Sequence, residues 1–351
     1  MKQKINFLLI LLVSALLIFF IAGLTKQDPK VIGWIPYWDQ GTAFESFKQN
    51  ADKTDYVSLF WYRIDENGNL GKYEKVVEDK SIIAFAKNHN VKVLALVANL
   101  SEERQGHWDS VRVDKVISQK EAREKHIQEL VELVVKNDFD GIDIDYESLE
   151  SSQRDDFSLF IEELSGELHK KNKILGVAIH PKVSEKDSND SGSGAQDLRK
   201  IGRYADQLYF MTYLEHGSFS HPGPIGSSGW MEKVLRFGLS QAPQQKVFLG
   251  IGLMGSEWIE NRNGEFSGLN NELKFADIYN ATKKYKVEPV WDDASRSPYL
   301  KFQADGINHV VWYENAESIK VRADLARQFR IGGIALWRLG GEDQRAWSFI
   351  N

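Results

Sequence analysis

The sequence predicts an α/β fold, a (β/α)₈ TIM barrel with a small α+β insertion between strands 7 and 8, and three observations carry that prediction. Eight short apolar runs alternate with amphipathic stretches along the chain. The runs are apolar at consecutive positions, the pattern of parallel strands covered on both faces. The chain has 351 residues, which accommodates a barrel of about 250 residues with insertions. In order, the predicted strands are Val31–Tyr37, Tyr56–Tyr62, Val91–Ala98, Gly141–Tyr146, Ile174–Ile179, Gln207–Thr212, Val247–Leu253 and Gly333–Leu336. Helical patterns lie between them, as parallel crossovers require. The longest, Val116–Lys136, is apolar at 117, 127, 130, 131 and 133 to 135. Two segments depart from the rhythm. Ser184–Gln196, rich in Ser, Asp, Asn and Gly, reads as a mobile loop. Residues 256–309 are too long for one connection and contain a helical stretch, Leu273–Tyr285, and β-like pieces such as Val287–Trp291.

Residues 1–25 read as a signal peptide or a membrane anchor, leaving 26–351 as the barrel. Lys2 and Lys4 precede an apolar stretch from Phe7 to Leu24 that is just long enough to span a bilayer. No small-x-small cleavage pattern precedes Thr25, which favours membrane anchoring through residues 7–24 with the barrel exported. The formal net charge is −6. That balance argues against nucleic-acid binding, which wants a basic face. With no Cys, disulfides, thiolate nucleophiles and Cys-ligated zinc are excluded. Gly250-Ile-Gly252-Leu-Met-Gly255 matches a dinucleotide fingerprint by letters, but it lies late in the chain with no helix beginning there. His180, His216 and His221 lack ligand spacing and read as rim or surface residues. No cofactor and no metal is therefore expected, and the chain is expected to act as a monomer.

The segment Asp138-Phe-Asp-Gly-Ile-Asp-Ile-Asp-Tyr-Glu147 carries the chemistry. Alternation in a strand points Asp143, Asp145 and Glu147 one way and Ile142, Ile144 and Tyr146 the other, with same-face neighbours about 7 Å apart. Three acids would climb the barrel interior towards its C-terminal rim. Buried ionised carboxylates cost several kcal/mol each unless paired or protonated, so at least one pKa should rise. A raised pKa on the topmost acid suits a general acid. An exposed edge strand would lack these apolar flanks, and a divalent-cation site needs oxygens converging from several directions rather than spread along one line.

Asp140-Gly-Ile-Asp143-Ile-Asp145-Tyr-Glu147 resembles the fourth-strand signature of glycoside hydrolase family 18, a family of (β/α)₈ barrels. Met211-Thr-Tyr213, Leu249-Gly-Ile-Gly-Leu-Met-Gly-Ser-Glu-Trp258 and Gly332-Gly-Ile-Ala-Leu-Trp337 are similar to its sixth, seventh and eighth strands. Val311-Trp-Tyr-Glu-Asn-Ala-Glu-Ser318, Ala178-Ile-His-Pro-Lys182 and Ala98-Asn-Leu100 resemble the spore-germination and cortical-fragment-lytic branch. The resemblance implies substrate-assisted retaining hydrolysis beside N-acetylglucosamine, the known exception to two-carboxylate glycosidases. Glu147 would be the proton donor, Asp145 would orient the substrate's acetamide, Asp143 would share a proton with Asp145, and Tyr213 would hold the acetamide oxygen. It further implies substrate binding by Trp337, as a floor under the sugar, and by Met211. Tyr37 and Trp61, at or near strand ends, are candidates to stack on sugar. Chitinases usually have an acid directly after the sixth-strand Tyr; here Leu214 follows, and Glu215 is expected to take that place through a local kink. The implied partner is an N-acetylglucosamine-containing polysaccharide in peptidoglycan or spore cortex. Chitin oligomers, and a catalytically silent sugar-binding barrel, are the alternatives.

Overall fold

The computed structural model describes residues 28–102, 106–187 and 192–350. All eight predicted strands are present: β1 (Lys30–Pro36), β2 (Tyr56–Ile64), β3 (Lys92–Ala98), β4 (Gly141–Asp145), β5 (Ile174–Ile179), β6 (Gln207–Phe210), β7 (Val247–Gly252) and β8 (Gly333–Trp337). Neighbours pair in parallel, and β1 pairs both with β8, Val31 opposite Ile334, and with β2, Ile35 opposite Leu59. The sheet therefore closes on itself. A short strand, Leu70–Lys72, extends β2 as an antiparallel hairpin.

Two apolar layers hold the barrel. Inside, Ile32, Trp34, Phe60, Leu94, Leu96, Tyr209, Phe248 and Ala335 pack together, so the barrel is filled rather than open. Outside, Val31, Ile35, Leu59, Ile142, Ile144 and many others meet the apolar stripes of the helices. Burying each such side chain contributes about 1.5–3 kcal/mol. Aspartates start several helices in the same way. Asp79 accepts from Ser81 N, Asp109 from Val111 N and Asp197 from Arg199 N, satisfying amide groups that a helix start leaves unpaired.

The helical stretch predicted over Val116–Lys136 is two helices, Ser110–Ile117 and Lys120–Lys136. Val116 and Ile117 are buried as the last turn of the first, and the chain turns at Ser118-Gln119. The loop after β5 contains one-turn helices at Glu185–Asp187 and Ser193–Ala195; residues 188–191, and the apolar segment 7–24, lie outside the described residues.

Between β7 and β8, five antiparallel strands form a separate sheet in the order Phe266–Leu273, Gly255–Glu260, Ile307–Tyr313, Ser297–Ala304, Val290–Asp292. The helix Phe275–Tyr285 packs Ile278 against Leu300, Val311 and Tyr313. This insertion is pinned to the barrel mouth. Trp258 Nε1 donates to the carbonyls of Gly217 and Ser220 in the loop after β6, at 3.1 and 2.8 Å. Arg322, fully buried on the helix Ala316–Phe329, pairs with Glu314 at 3.2 Å and donates to Ser297 Oγ and to the Gly226 carbonyl.

Candidate active site

Strand β4 places its acids in a row that rises from core to mouth. Exposure climbs along it: Asp143 is 0% exposed and Asp145 6%, and the Glu147 side chain is 18% exposed. The intervening residues face the helices, where the Tyr146 hydroxyl meets His126 Nε2 at 2.8 Å. At the base, Asp143 Oδ2 accepts from Trp34 Nε1 and Ser58 Oγ, both at 2.8 Å.

Burial dominates the electrostatics. It pushes the Asp143 carboxyl up to about 6, against the two donors that favour the carboxylate. Asp145 is pushed well above the usual carboxylate range by burial and then by the charges of Glu147 and Asp143. Burial lifts Glu147 to about 8, with the hydrogen bond from Asp145 opposing the rise. The Asp145–Glu147 pair shares a proton, because two charges so close and so dry cannot both be present. A carboxylic acid that is neutral near pH 7, set at a barrel mouth, is equipped to give a proton to a leaving oxygen.

Glu147 is aimed by its backbone. Asn99, fully buried just beyond β3, donates Nδ2–H to the Glu147 carbonyl at 2.9 Å and accepts the Glu147 N–H on Oδ1 at 2.8 Å. One amide thus holds both polar groups of the residue past the strand end. Asn99→Ala leaves both unpaired, each bond being worth about 1 kcal/mol and an orphaned buried group costing about 1–3 kcal/mol. The expected result is a roughly tenfold or greater fall in kcat, with KM little changed, read from initial rates of the reaction in which Glu147 gives its proton.

Tyr213, just past β6, faces the same row. Its hydroxyl pKa is raised by burial and by the charges of Asp145, Glu147 and Asp143. Its ring lies parallel to that of Trp337, centroids 6.5 Å apart. The glycines of β7 make this possible: a Cβ on Gly250 would come within 3.1 Å of the Tyr213 ring and one on Gly252 within 3.0 Å of its Cβ. Gly250 also lets the Phe210 carbonyl approach, a Cβ there lying 2.2 Å from it, and Gly255, the last glycine of the fingerprint-like letters, makes room for Ile278 and Tyr313. Met211 lies in the wall of the same mouth, 8% exposed. Trp337 also touches Trp34, Phe60 and Trp38, centroids 5.9, 6.1 and 6.2 Å away.

Two expectations need correction. Trp61 cannot stack on a sugar: it is buried in the layer between sheet and helices, its Nε1 donating to Gln40 Oε1 at 2.6 Å. Phe60 takes the inward place, and alternation turns its neighbour out. Glu215 does not occupy the missing acid's position. Leu214 adopts a left-handed backbone (φ 55°), and the turned Glu215 accepts from Ser227 N at 2.6 Å and Ser227 Oγ at 3.1 Å. Its carboxylate secures the loop before the helix Ser228–Gln241. Of the two places expected for His180, rim or surface, it takes the rim: its side chain is 15% exposed, with Nε2 3.7 Å from Glu147 Oε2. Tyr37 does reach the rim, where its ring stacks on Tyr73 at 4.8 Å and its hydroxyl donates to Glu102 at 2.8 Å. The ring left open to a ligand is its neighbour Trp38, 41% exposed, which sequence reading passed over. Being next to a strand end was the available signal. Among the described residues no three His, Asp or Glu side chains converge as a cation would need.

Comparison with known proteins places this geometry in company. The sequence pattern of glycosyl hydrolases family 18 matches residues 30–342. An uncharacterized glycosylase of Bacillus subtilis is 29% identical over 97% of both chains. The cortical fragment-lytic enzyme of Bacillus anthracis is 23% identical, covering 84% of this chain and 67% of its own. A chitinase from Chromobacterium violaceum superposes with a TM-score of 0.82 at 26% identity, over 92% of this chain and 98% of the other.

Proposed function

The chain belongs to family 18 of the glycosyl hydrolases, and from that premise we propose that it cuts beside N-acetylglucosamine in peptidoglycan or spore cortex by substrate-assisted retention. The observation that carries this reading is the row Asp143, Asp145, Glu147, exposed progressively towards the mouth and topped by an acid that burial keeps protonated near neutrality.

In this mechanism the Glu147 proton passes to the glycosidic oxygen as the bond from C1 to that oxygen breaks. The sugar's own acetamido carbonyl oxygen bonds to C1 and forms an oxazolinium ring. Asp145 accepts the acetamido N–H and balances its growing positive charge, while the Tyr213 hydroxyl donates to the acetamido oxygen and orients it for attack. Water then attacks C1 from the vacated side. Glu147, now a carboxylate, takes the water's proton, and the ring reopens with the original configuration at C1. Trp337 forms the floor of the sugar site.

The cortical fragment-lytic relative supports a wall substrate, and the apolar segment 7–24 fits an enzyme held at the outer face of a membrane. A chitin substrate is the second reading, favoured by the likeness to a chitinase over 92% of the chain. Digestion of purified cortex fragments beside chitin oligomers, with mass analysis of the products, separates them. Cortex muropeptides cut at N-acetylglucosamine are expected. Release of sugars from chitin alone would overturn the wall substrate.

A further inference from the structure

The imidazole beside the proton donor has no part in the mechanism above. His180 follows the last residue of β5, and its Nε2 sits 3.7 Å from Glu147 Oε2, just beyond hydrogen-bond reach. Among the described residues Nε2 is buried with no other partner. The surroundings fix the ring from behind. His180 N–H donates to Gln196 Oε1 at 2.8 Å, and Gln196 Nε2 donates back to the Ala178 carbonyl at 2.9 Å. Lys182 Nζ ties the same loop down through the carbonyls of Ser193 and Gln196, at 3.2 and 3.0 Å. Gly192 passes so close that a Cβ there would lie 2.3 Å from Nε2. The ring is therefore confined on the loop side and has its free nitrogen towards the acid.

We propose that His180 is a positioning residue for the proton donor, its Nε2–H moving onto Glu147 Oε2 and holding the carboxylate that remains when the proton has gone to the leaving oxygen. This rests on Glu147 being that donor. Among the described residues, the titratable groups acting on Glu147 are Asp145 on its own strand, Tyr213 past β6 and His180 past β5. Asp145 is an acid and Tyr213 a phenol, so neither gives the charge left on Glu147 a cationic partner. A neutral imidazole carries one N–H and can place it at Nε2. Burial holds the His180 pKa down to about 4, so the ring is neutral where Glu147 is protonated. A cation at that position would strip the resting acid of its proton; a neutral donor favours the carboxylate more weakly, lowering the Glu147 pKa a little while leaving the acid form at rest near neutrality.

The test compares His180→Leu and His180→Asn with the unaltered full chain. Chitin hexamer has a leaving oxygen that needs a proton, and a nitrophenyl chitobioside has one that hardly does. His180→Leu is expected to lower kcat on the hexamer about tenfold, the worth of one hydrogen bond to a charged group. The nitrophenyl substrate should lose little, and the alkaline limb of the pH–rate profile should move upward. His180→Asn, which keeps a donor, should recover part of the rate. If the Leu variant keeps both kcat and limb, or loses equally on the two substrates, the proposal is overturned. Glu147→Gln run in parallel separates the failures. An inactive Gln variant beside a fully active Leu variant removes only the role of His180. A Gln variant still active on the hexamer removes the donor assignment, and this inference with it.

Discussion

Glu147→Gln is expected to lower turnover of chitin oligomers by about a thousandfold while leaving the fold intact. General acid catalysis contributes roughly 10²–10⁴-fold, and Gln has the shape of the protonated side chain without its acidic proton. Much less should be lost on a nitrophenyl chitobioside, whose phenolate departs without help. The unaltered enzyme should show a matching pH dependence. Glu147 acts as its acid form and burial sets its pKa at about 8 in the free enzyme, so kcat/KM should fall as pH rises through that value. Stability follows the same proton. A carboxyl whose pKa is raised on folding, here from 4.5 to about 8, contributes most at low pH and loses that contribution as pH climbs between the two values. The Gln variant, unable to ionise, should therefore lose less thermal stability than the parent between pH 5 and 9, about, in parallel melts. An unchanged hexamer rate would remove Glu147 from the chemistry.

The second large effect belongs to Asp145. Asp145→Asn should lower kcat on chitin oligomers by roughly a hundredfold or more with a smaller change in KM, since Asn keeps the side chain's size but cannot bear the negative charge that balances the acetamide. Electrostatic groups preorganised against a developing charge are commonly worth 10²–10³-fold, about, when removed singly. The companion measurement changes the substrate instead of the protein. A reporter with a hydroxyl in place of the 2-acetamido group should not be turned over measurably by the parent enzyme, because the intramolecular nucleophile is gone. Equal rates on the two reporters would show that something other than the acetamide attacks.

Much of this site was legible in the chain because a strand has a period of two. Asp143, Asp145 and Glu147 alternate strictly with Ile144 and Tyr146, and a barrel strand leaves such acids only the interior. Trp61 was misplaced because being near a strand end says nothing about facing; the pairing of β2 with β3 slips between Phe60 and Tyr62, which blurs the alternation there. Glu215 was misplaced because the left-handed Leu214 turns the chain, and nothing in a Leu codes for that conformation. His180 and Asn99 reach Glu147 from the ends of neighbouring strands, 33 and 48 positions away along the chain. Contacts of that span follow from the register of a closed sheet, which sequence periodicity does not specify. The break at Ser118-Gln119 was hidden for a related reason: Val113, Val116 and Ile117 before it and Ile127, Leu130 and Val134 after it join one core.

The measurement closest to the centre of the account follows the products of chitin oligomers by proton NMR in the first minutes of digestion, before mutarotation. Attack by the acetamide and then by water inverts C1 twice, so the new reducing ends should appear first as the β anomer. The α anomer appearing first would mean a single displacement by water, and the acetamide would have no place in the reaction.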